Sequence, residues 1–303
     1  MVKYYELSDY RIVENGNGDY RIAVYTNPTD EEKRFLLGKY QLDDHTFNSA
    51  FDPDELARIE FETDHVAVIL KVPLNYNGEH TFEFQVTSIG VFLFENVLIV
   101  VMPEDLPIFD NKKFLHVGSL AETMLKIINY AVFHFLEHLR VIDLVSDELA
   151  EKISVAMENT YLLNLFRLEK SLVYYQNAIN SNAVLMDKMK IYAQKIGFTV
   201  EDNELLDDII IENNQCYKQA EVYSNILASM MDARVSIVNN NLNILMKKLT
   251  IITIAIMVPT FVVSAFSMNV TIPLQKHDHA FWAIMFIALT AMFGFLFLWR
   301  PKK

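Results

Sequence analysis

The chain has 303 residues, with 26 lysines and arginines against 39 aspartates and glutamates and a formal net charge of −13. Hydrophobic residues make up 52%, and glycine and proline number 8 each, which excludes collagen-like, low-complexity and disordered classes. A lone cysteine, Cys216, excludes a disulfide framework and a multi-cysteine zinc or iron–sulfur site, and the acidic balance argues against nucleic acid as a partner, because phosphate contacts need lysine and arginine.

Residues 1–115 predict an α/β domain. Tyr20–Thr26, His65–Val72, Thr81–Val86, Gly90–Phe94 and Val97–Met102 are short runs rich in β-branched and aromatic residues, the composition of strands. Asn15-Gly16-Asn17-Gly18 and Asn75-Tyr76-Asn77-Gly78 are turn clusters between them. Helices intervene. Asp52-Pro53-Asp54-Glu55 predicts one helix start, with an N-cap acid, a proline at the first helical position and a carboxylate in the first turn. Gly16 and Gly18 make no dinucleotide fingerprint, since no third glycine opens a helix at the right spacing.

Residues 116–246 predict a helical bundle and stalk. Ser119-x-x-Glu122 is a capping box, and beyond it no proline occurs before Pro259 and Gly197 is the only glycine in that stretch. One helix is expected from about 147 to 196, closed by Gly197 in a left-handed cap. The next is expected to open at the acidic cluster Glu201, Asp202 and Glu204, whose charges suit a helix N-terminus, and to continue unbroken into an apolar segment. From 204 to 267 such a helix is roughly 96 Å long at 1.5 Å per residue, and needs partners to cover its apolar side.

Residues 247–303 carry six bases and one acid, Asp278, for a net of +5, which leaves −18 on the first 246 residues. Two uncharged apolar runs lie in this basic tail, 249–270 and 280–299, each long enough to span a bilayer. Core helices of a soluble protein rarely run so far without a charge, so the pair predicts a transmembrane hairpin. Lys247 and Lys248 precede it, Arg300, Lys302 and Lys303 follow it, and the loop between holds only Lys276. The positive-inside rule therefore expects a multi-pass protein of the cell (inner) membrane with both termini cytoplasmic. Met1 to Glu6 has no apolar h-region, so no cleaved signal peptide is expected.

A polar stripe follows the long helix. Alternating steps of four and three give Asp232, Ser236, Asn239, Asn243, Met246, Thr250, Thr253, Met257, Thr260, Ser264 and Ser267; nine of these eleven are polar. The spacing holds one face of a left-handed supercoil, and beside it Val235, Val238, Leu242, Leu245 and Leu249 form an apolar row. Hydroxyls facing lipid are unfavourable, whereas facing a water-filled axis they are not. The alternative is that Thr and Ser act as small packing residues between membrane helices. Two spans cannot enclose a pore, so a pore requires several copies in a closed ring.

The segment Met246-Lys247-Lys248-Leu249-Thr250-Ile251-Ile252, through Pro259-Thr260 and Ser264-Ala265-Phe266-Ser267-Met268-Asn269, resembles the CorA family of magnesium and divalent metal ion transporters. The resemblance covers the whole architecture and is motif-specific over about 205–300. It implies an α/β cytoplasmic domain, a long helical stalk and two C-terminal transmembrane helices, assembled as a homopentameric funnel. The family closes its first span with Gly-Met-Asn; this chain has Ser267-Met268-Asn269, with Phe266 in the preceding aromatic slot, which is usually Tyr. The resemblance implies that Asn269 first receives the hydrated ion. It also implies that Asn243, Leu249, Met257, Thr260 and Ser264 line the pore, that Asp232 forms a cytoplasmic ring, and that Asp208 belongs to an intersubunit regulatory metal site.

The chemistry agrees with that implication. Mg²⁺ dehydrates reluctantly, and neutral amide and hydroxyl oxygens can hold it by its water shell without stripping it. Met246 and Met257 are candidate dewetting constrictions, and Thr253 extends the hydroxyl row. Mg²⁺ is thus the expected cargo and regulator, with lipid and the chain's own copies as partners. Glycine reaches positive φ freely and serine does not, so Ser267 is expected to alter the turn and bears on selectivity. Transport of Zn²⁺, Co²⁺ or Ni²⁺ stays open, although no ring of His or Cys lines the expected pore. A poorly conducting membrane-anchored cation sensor is the alternative from another class. His134-x-x-Glu137-His138 matches an inverted zincin pattern but lacks an apparent third ligand on an apolar helix, and His277-Asp278-His279 fits a solvated loop. No nucleophilic triad or phosphate loop stands out, so no enzyme is expected.

Overall fold

The computed structural model describes residues 1–303 except 9, 16–19, 75, 77–81, 110–113, 115, 156–158, 270–278 and 299–303, and leaves out the side chains of 151–155, 159 and 162. The chain forms two compact units, Met1–Met231 and Asp232–Lys303.

The first unit holds seven strands: β1 (Val2–Ser8), β2 (Arg11–Glu14), β3 (Ile22–Thr26), β4 (Arg58–Phe61), β5 (His65–Pro73), β6 (Val86–Phe94) and β7 (Leu98–Met102). They form one sheet in the order β2-β1-β3-β7-β6-β5-β4. Only β3 and β7 pair in parallel, with Val24 opposite Val100. The period-two pleat sends Ile22, Val24, Val68, Leu70, Leu98 and Val100 to one core, and Ala23, Tyr25, Ala67, Ile99 and Val101 to the other. That explains why the central strands are continuous apolar runs: both faces are covered. Helices α1 (Asp30–Tyr40) and α2 (Asp44–Ser49) cover the second face through Leu36 and Phe47.

The other face is covered by α3 (Leu120–Val155) and α4 (Asn159–Ile191), which share one core with the sheet and with Leu206 and Ile209 further along the chain. Ser119 accepts from the Glu122 N–H (3.0 Å), while the Glu122 carboxylate accepts from the Gly118 N–H (2.6 Å), one residue earlier than the capping-box pattern expects. The helix expected over 147–196 divides differently. Ser146 donates to the Ile142 carbonyl (2.5 Å) instead of capping a new helix, so α3 runs on to Val155 and α4 begins at Asn159. A single turn, α5 (Ala193–Ile196), follows, and Gly197 closes it at φ 88° as expected.

Two expectations in the first 115 residues fail. Asp52-Pro53-Asp54-Glu55 forms a turn, with the Asp54 N–H on the Asp52 side chain (2.9 Å), because β4 starts three residues later and leaves no room for a helix. Phe82–Gln85 is not a strand, because the Phe84 N–H is bonded to Ser171 Oγ of α4 (3.0 Å) and not to a strand neighbour. The two turn clusters fall largely on, and Thr81 entirely on, residues outside those described.

The second unit consists of the C-terminal part of α6 (Val200–Phe266) and α7 (Ala280–Leu298). At 67 residues, α6 is roughly 100 Å long. Both helices are long and apolar enough to cross a membrane.

Candidate ion pathway along α6

Helix α6 opens on a cap that the sequence predicted only in part. Thr199 Oγ1 accepts from the Asp202 N–H (3.1 Å) and the Asp202 carboxylate accepts from the Thr199 N–H (2.9 Å), with Glu201 adding negative charge to the first turn. Leu206, Ile209, Asn213, Cys216, Ala220 and Leu227 are buried at spacings of three, four and seven, so the first third of α6 is anchored in the core of its unit. Asn213 donates to the Ile179 carbonyl (3.1 Å), and Gln176 of α4 donates to the Ala220 carbonyl (3.2 Å), fixing the register. Cys216 is fully buried, and burial pushes its thiol up to about 12, so it is neither nucleophile nor metal ligand at neutral pH.

Asp232, Asn243, Met246, Leu249, Thr253, Met257, Thr260 and Ser264 all lie on α6 and are exposed in the single chain. Exposure does not single out this row, because Ile252, Ile256 and Phe261 are equally open. Its threonines bond to their own helix, as Thr290 does on α7. Thr250 donates to the Met246 carbonyl (2.8 Å), Thr253 to Leu249 (2.9 Å) and Thr260 to Ile256 (2.7 Å). Each hydroxyl proton is thereby engaged with the helix, and the oxygen lone pairs remain as acceptors. Pro259 lies within the helix and has no N–H for the Ala255 carbonyl.

The helix ends at Phe266, so Ser267, the last member of the stripe, is in a turn rather than on the helix, and Met268 and Asn269 follow in a bend. Ser267 caps the end twice, its N–H (3.2 Å) and its Oγ (2.8 Å) both donating to the Ser264 carbonyl. Among the described residues the non-glycine positions at positive φ are Tyr10, Asn27 and Gln41, so Ser267 closes this helix without the conformation only glycine adopts easily. The Asn269 side chain is exposed.

Asp208 is exposed on the N-terminal part of α6, and the Glu212 Oε2 atom, one turn further, is shielded from solvent with no hydrogen-bond partner. Among the described residues no group of three His, Cys, Asp or Glu side chains converges to hold a metal.

The histidine pair of α3 is packing. His138 is buried, its Nδ1 lies 2.6 Å from the Tyr175 hydroxyl, and its ring meets that of His134 at 4.5 Å, while Glu137 points to solvent. Burial and the neighbouring His134 lower the His138 pKa to about 4, so the pair is neutral at pH 7. Of His277-Asp278-His279, the first two lie outside the described residues.

A sheet covered by helices on both faces, a helix that leaves that core and runs on through an apolar segment, and a second apolar helix after it define a two-span membrane transporter rather than an enzyme. Residues 17–302 match the family described as CorA-like Mg²⁺ transporter protein, and the chain belongs to that family. The "Cobalt/magnesium transport protein CorA" of Methanocaldococcus jannaschii is 25% identical over 296 residues, covering 93% of this chain and 91% of that protein. The complete structure of the CorA magnesium transporter from that organism superposes with a TM-score of 0.84 at 22% identity, covering 100% of this chain and 97% of the other. The full-length CmaX protein gives 0.74 at 15% identity, covering 97% and 95% of the two chains. The cytoplasmic domain of ZntB from Vibrio parahaemolyticus gives 0.61 at 14%, covering 78% of this chain and 98% of its own. These last likenesses are of fold.

Proposed function

We propose that this chain conducts hydrated Mg²⁺ through a pore formed by α6 from five copies, with both termini in the cytoplasm. The observation that carries this reading is the mainly polar row, interrupted by Met246 and Met257, that keeps its spacing from Asp232 through the apolar part of α6, its threonine hydroxyls turned into acceptors by their own backbone. Water in the first shell of a cation points its hydrogens outward, so acceptors without competing donors suit it. Asn269 receives the ion at the outer mouth, Ser267 and Met268 shape the entrance, and Ser264, Thr260 and Thr253 pass it inward. Met257, Leu249 and Met246 form the constrictions, and Asn243 and Asp232 lead to the cytoplasm. Asp208 contributes to a Mg²⁺ site between neighbouring copies, and loss of that ion lets the acidic bodies repel one another and opens the pore.

The cobalt/magnesium relative favours Co²⁺ as a second cargo over Zn²⁺ or Ni²⁺. Purified protein in liposomes is expected to admit Mg²⁺, and Co²⁺ next, each detected by a trapped fluorescent indicator. Absence of flux for Mg²⁺, Co²⁺, Zn²⁺ and Ni²⁺, with the oligomer intact, would replace this reading by that of a membrane-anchored cation sensor.

A further inference from the structure

Two histidines of α3 stand where three helices of the first unit meet. His134 and His138 are one turn apart on the same face, with ring centroids 4.5 Å from each other. His138 is buried, and its Nδ1 lies 2.6 Å from the Tyr175 hydroxyl of α4. Tyr175 is fully buried, and the Cys216 thiol of α6 is close enough to act on the same hydroxyl. At this level α4 holds α6 by two bonds: Gln176 donates to the Ala220 carbonyl (3.2 Å), and the Ile179 carbonyl accepts from Asn213 (3.1 Å). The His138–Tyr175 bond thus adjoins the stretch of α4 on which the N-terminal part of α6 is seated.

The surroundings offer nothing to balance a proton on either ring. The titratable groups facing the pair are Tyr130 of α3, Tyr175 of α4 and Cys216 of α6, two phenols and a thiol that carry no charge at neutral pH. The chain entering β6 contributes the Phe84 ring, 5.7 Å from that of His138. Among the described residues no carboxylate acts on either imidazole, and the neighbouring Glu137 is exposed. His134 Nδ1 is shielded from solvent and has no hydrogen-bond partner. A neutral imidazole can accept the phenol proton at Nδ1, whereas an imidazolium can only donate there. Protonation of His138 therefore turns the hydroxyl proton toward the Cys216 sulfur, a weak acceptor, and places an uncompensated charge in the core. A second proton, on His134, sets two like charges one helical turn apart.

We infer that His134, His138 and Tyr175 form a proton-sensing lock at the junction of α3, α4 and α6, closed while both imidazoles are neutral and released by acid. Release brings the imidazoles into water, where His138 regains its ordinary value of 6.5, against about 4 in the closed core. Between pH 7 and about pH 5.5 the opened form gains a proton while the closed form stays neutral. His138 alone then raises the opened population roughly eightfold, and His134, also lowered by burial, adds in the same direction. The lock lies on the helix that carries the proposed pathway, but the inference does not depend on that pathway.

The test is hydrogen–deuterium exchange of the full-length protein in detergent at pH 7 and about pH 5.5, with each amide rate divided by its intrinsic rate at that pH. Protection of α4 around 171–180 is expected to fall roughly eightfold or more. Protection of α1, which packs on the opposite face of the sheet, is expected to change by less than about twofold. His138→Gln keeps a group that accepts from the Tyr175 hydroxyl but does not titrate. Combined with His134→Leu, it is expected to remove the acid response while protection at pH 7 stays near wild type. Equal protection of α4 at both pH values in the wild type would overturn the inference. So would an acid-induced loss that is equally large in α1, or one that persists undiminished in the double variant. If the double variant does not fold, the wild-type difference between α4 and α1 decides alone.

Discussion

Replacing Asn269 by alanine is the sharpest perturbation of the proposed pathway. Asn269 lies in the bend beyond Phe266, is exposed, and its amide makes no hydrogen bond within the chain among the described residues. Truncation therefore leaves no group unsatisfied, and stability should change by no more than about 0.5 kcal/mol, as at an ordinary surface site. In the proposed ring the same change removes one acceptor per copy. A bond from an amide oxygen to the ion's water shell is worth about 1 kcal/mol, so five copies withdraw up to about 5 kcal/mol from the entering ion. If bulk water restores half of that, Mg²⁺ flux still falls roughly 50- to 100-fold. The measurement is Mg²⁺ entry into liposomes at matched protein density, with oligomer size checked by light scattering and folding by thermal midpoint. Wild-type flux from an intact Asn269→Ala oligomer would show that other residues form the mouth and would remove the reason for placing the entrance at the end of α6.

Three further outcomes are expected. Asp208→Ala should weaken protection of the cytoplasmic body from protease by Mg²⁺ and reduce inhibition of flux by internal Mg²⁺; unchanged values of both would make Asp208 an ordinary surface acid. His279→Cys should react with an impermeant thiol reagent on intact cells and Glu221→Cys should not, with native Cys216 silent because it is buried with a thiol pushed up to about 12; the reverse pattern would invert the topology. The His138 imidazole, lowered from 6.5 to about 4, binds its proton less readily in the folded state than in the unfolded one. Its contribution, about 3 kcal/mol at most, is therefore complete above pH 6.5 and is lost as pH falls toward 4; the thermal midpoint of His138→Phe should fall less steeply between pH 6.5 and 5 than that of wild type, and parallel slopes would contradict this assignment.

The parts of the fold legible in the sequence are those where one force dominates. Strands β5, β6 and β7 are buried on both faces and so appear as apolar runs, with Lys71 the one lysine or acid among them, and α6 has no breaker that ends it between Gly197 and its close at Phe266. Strands β1, β2 and β4 were hidden because they lie toward the sheet edges, half exposed, and carry Lys3, Glu6, Arg11, Arg58 and Glu60. At the 52–55 turn and along α3 past Ser146 potential capping residues were present, but their side chains made other local bonds, Asp52 to the Asp54 N–H and Ser146 to the Ile142 carbonyl, which the sequence pattern does not distinguish from a cap. The residues of the proposed pathway were selected through periodicity, since the row keeps its spacing across the boundary between stalk and apolar segment. The capping role of Ser267 was not, because whether a serine replaces a glycine depends on the φ that the turn requires, and here it requires no positive value.

Threonine and serine, rather than aspartate, in the apolar part of α6 have a consequence for the sign of the charge that passes. A free hydroxyl offers both a donor and acceptors and so discriminates little between a hydrated anion and a hydrated cation. In the proposed pore, once Thr250, Thr253 and Thr260 have donated to the carbonyl four residues back, these three offer acceptors, which would favour species whose hydration shell presents hydrogens. A carboxylate at these positions would attract cations more strongly but would hold a divalent ion too long for rapid exit, and it would carry the desolvation penalty of a charge in the membrane. In the proposed arrangement negative charge lies instead outside the span, at Asp232 and in the acidic body, where it would raise the local cation concentration without binding the ion within the span. Neutral acceptors inside the span and fixed charge outside it therefore divide passage from attraction, and that division is what a channel for a strongly hydrated divalent cation requires.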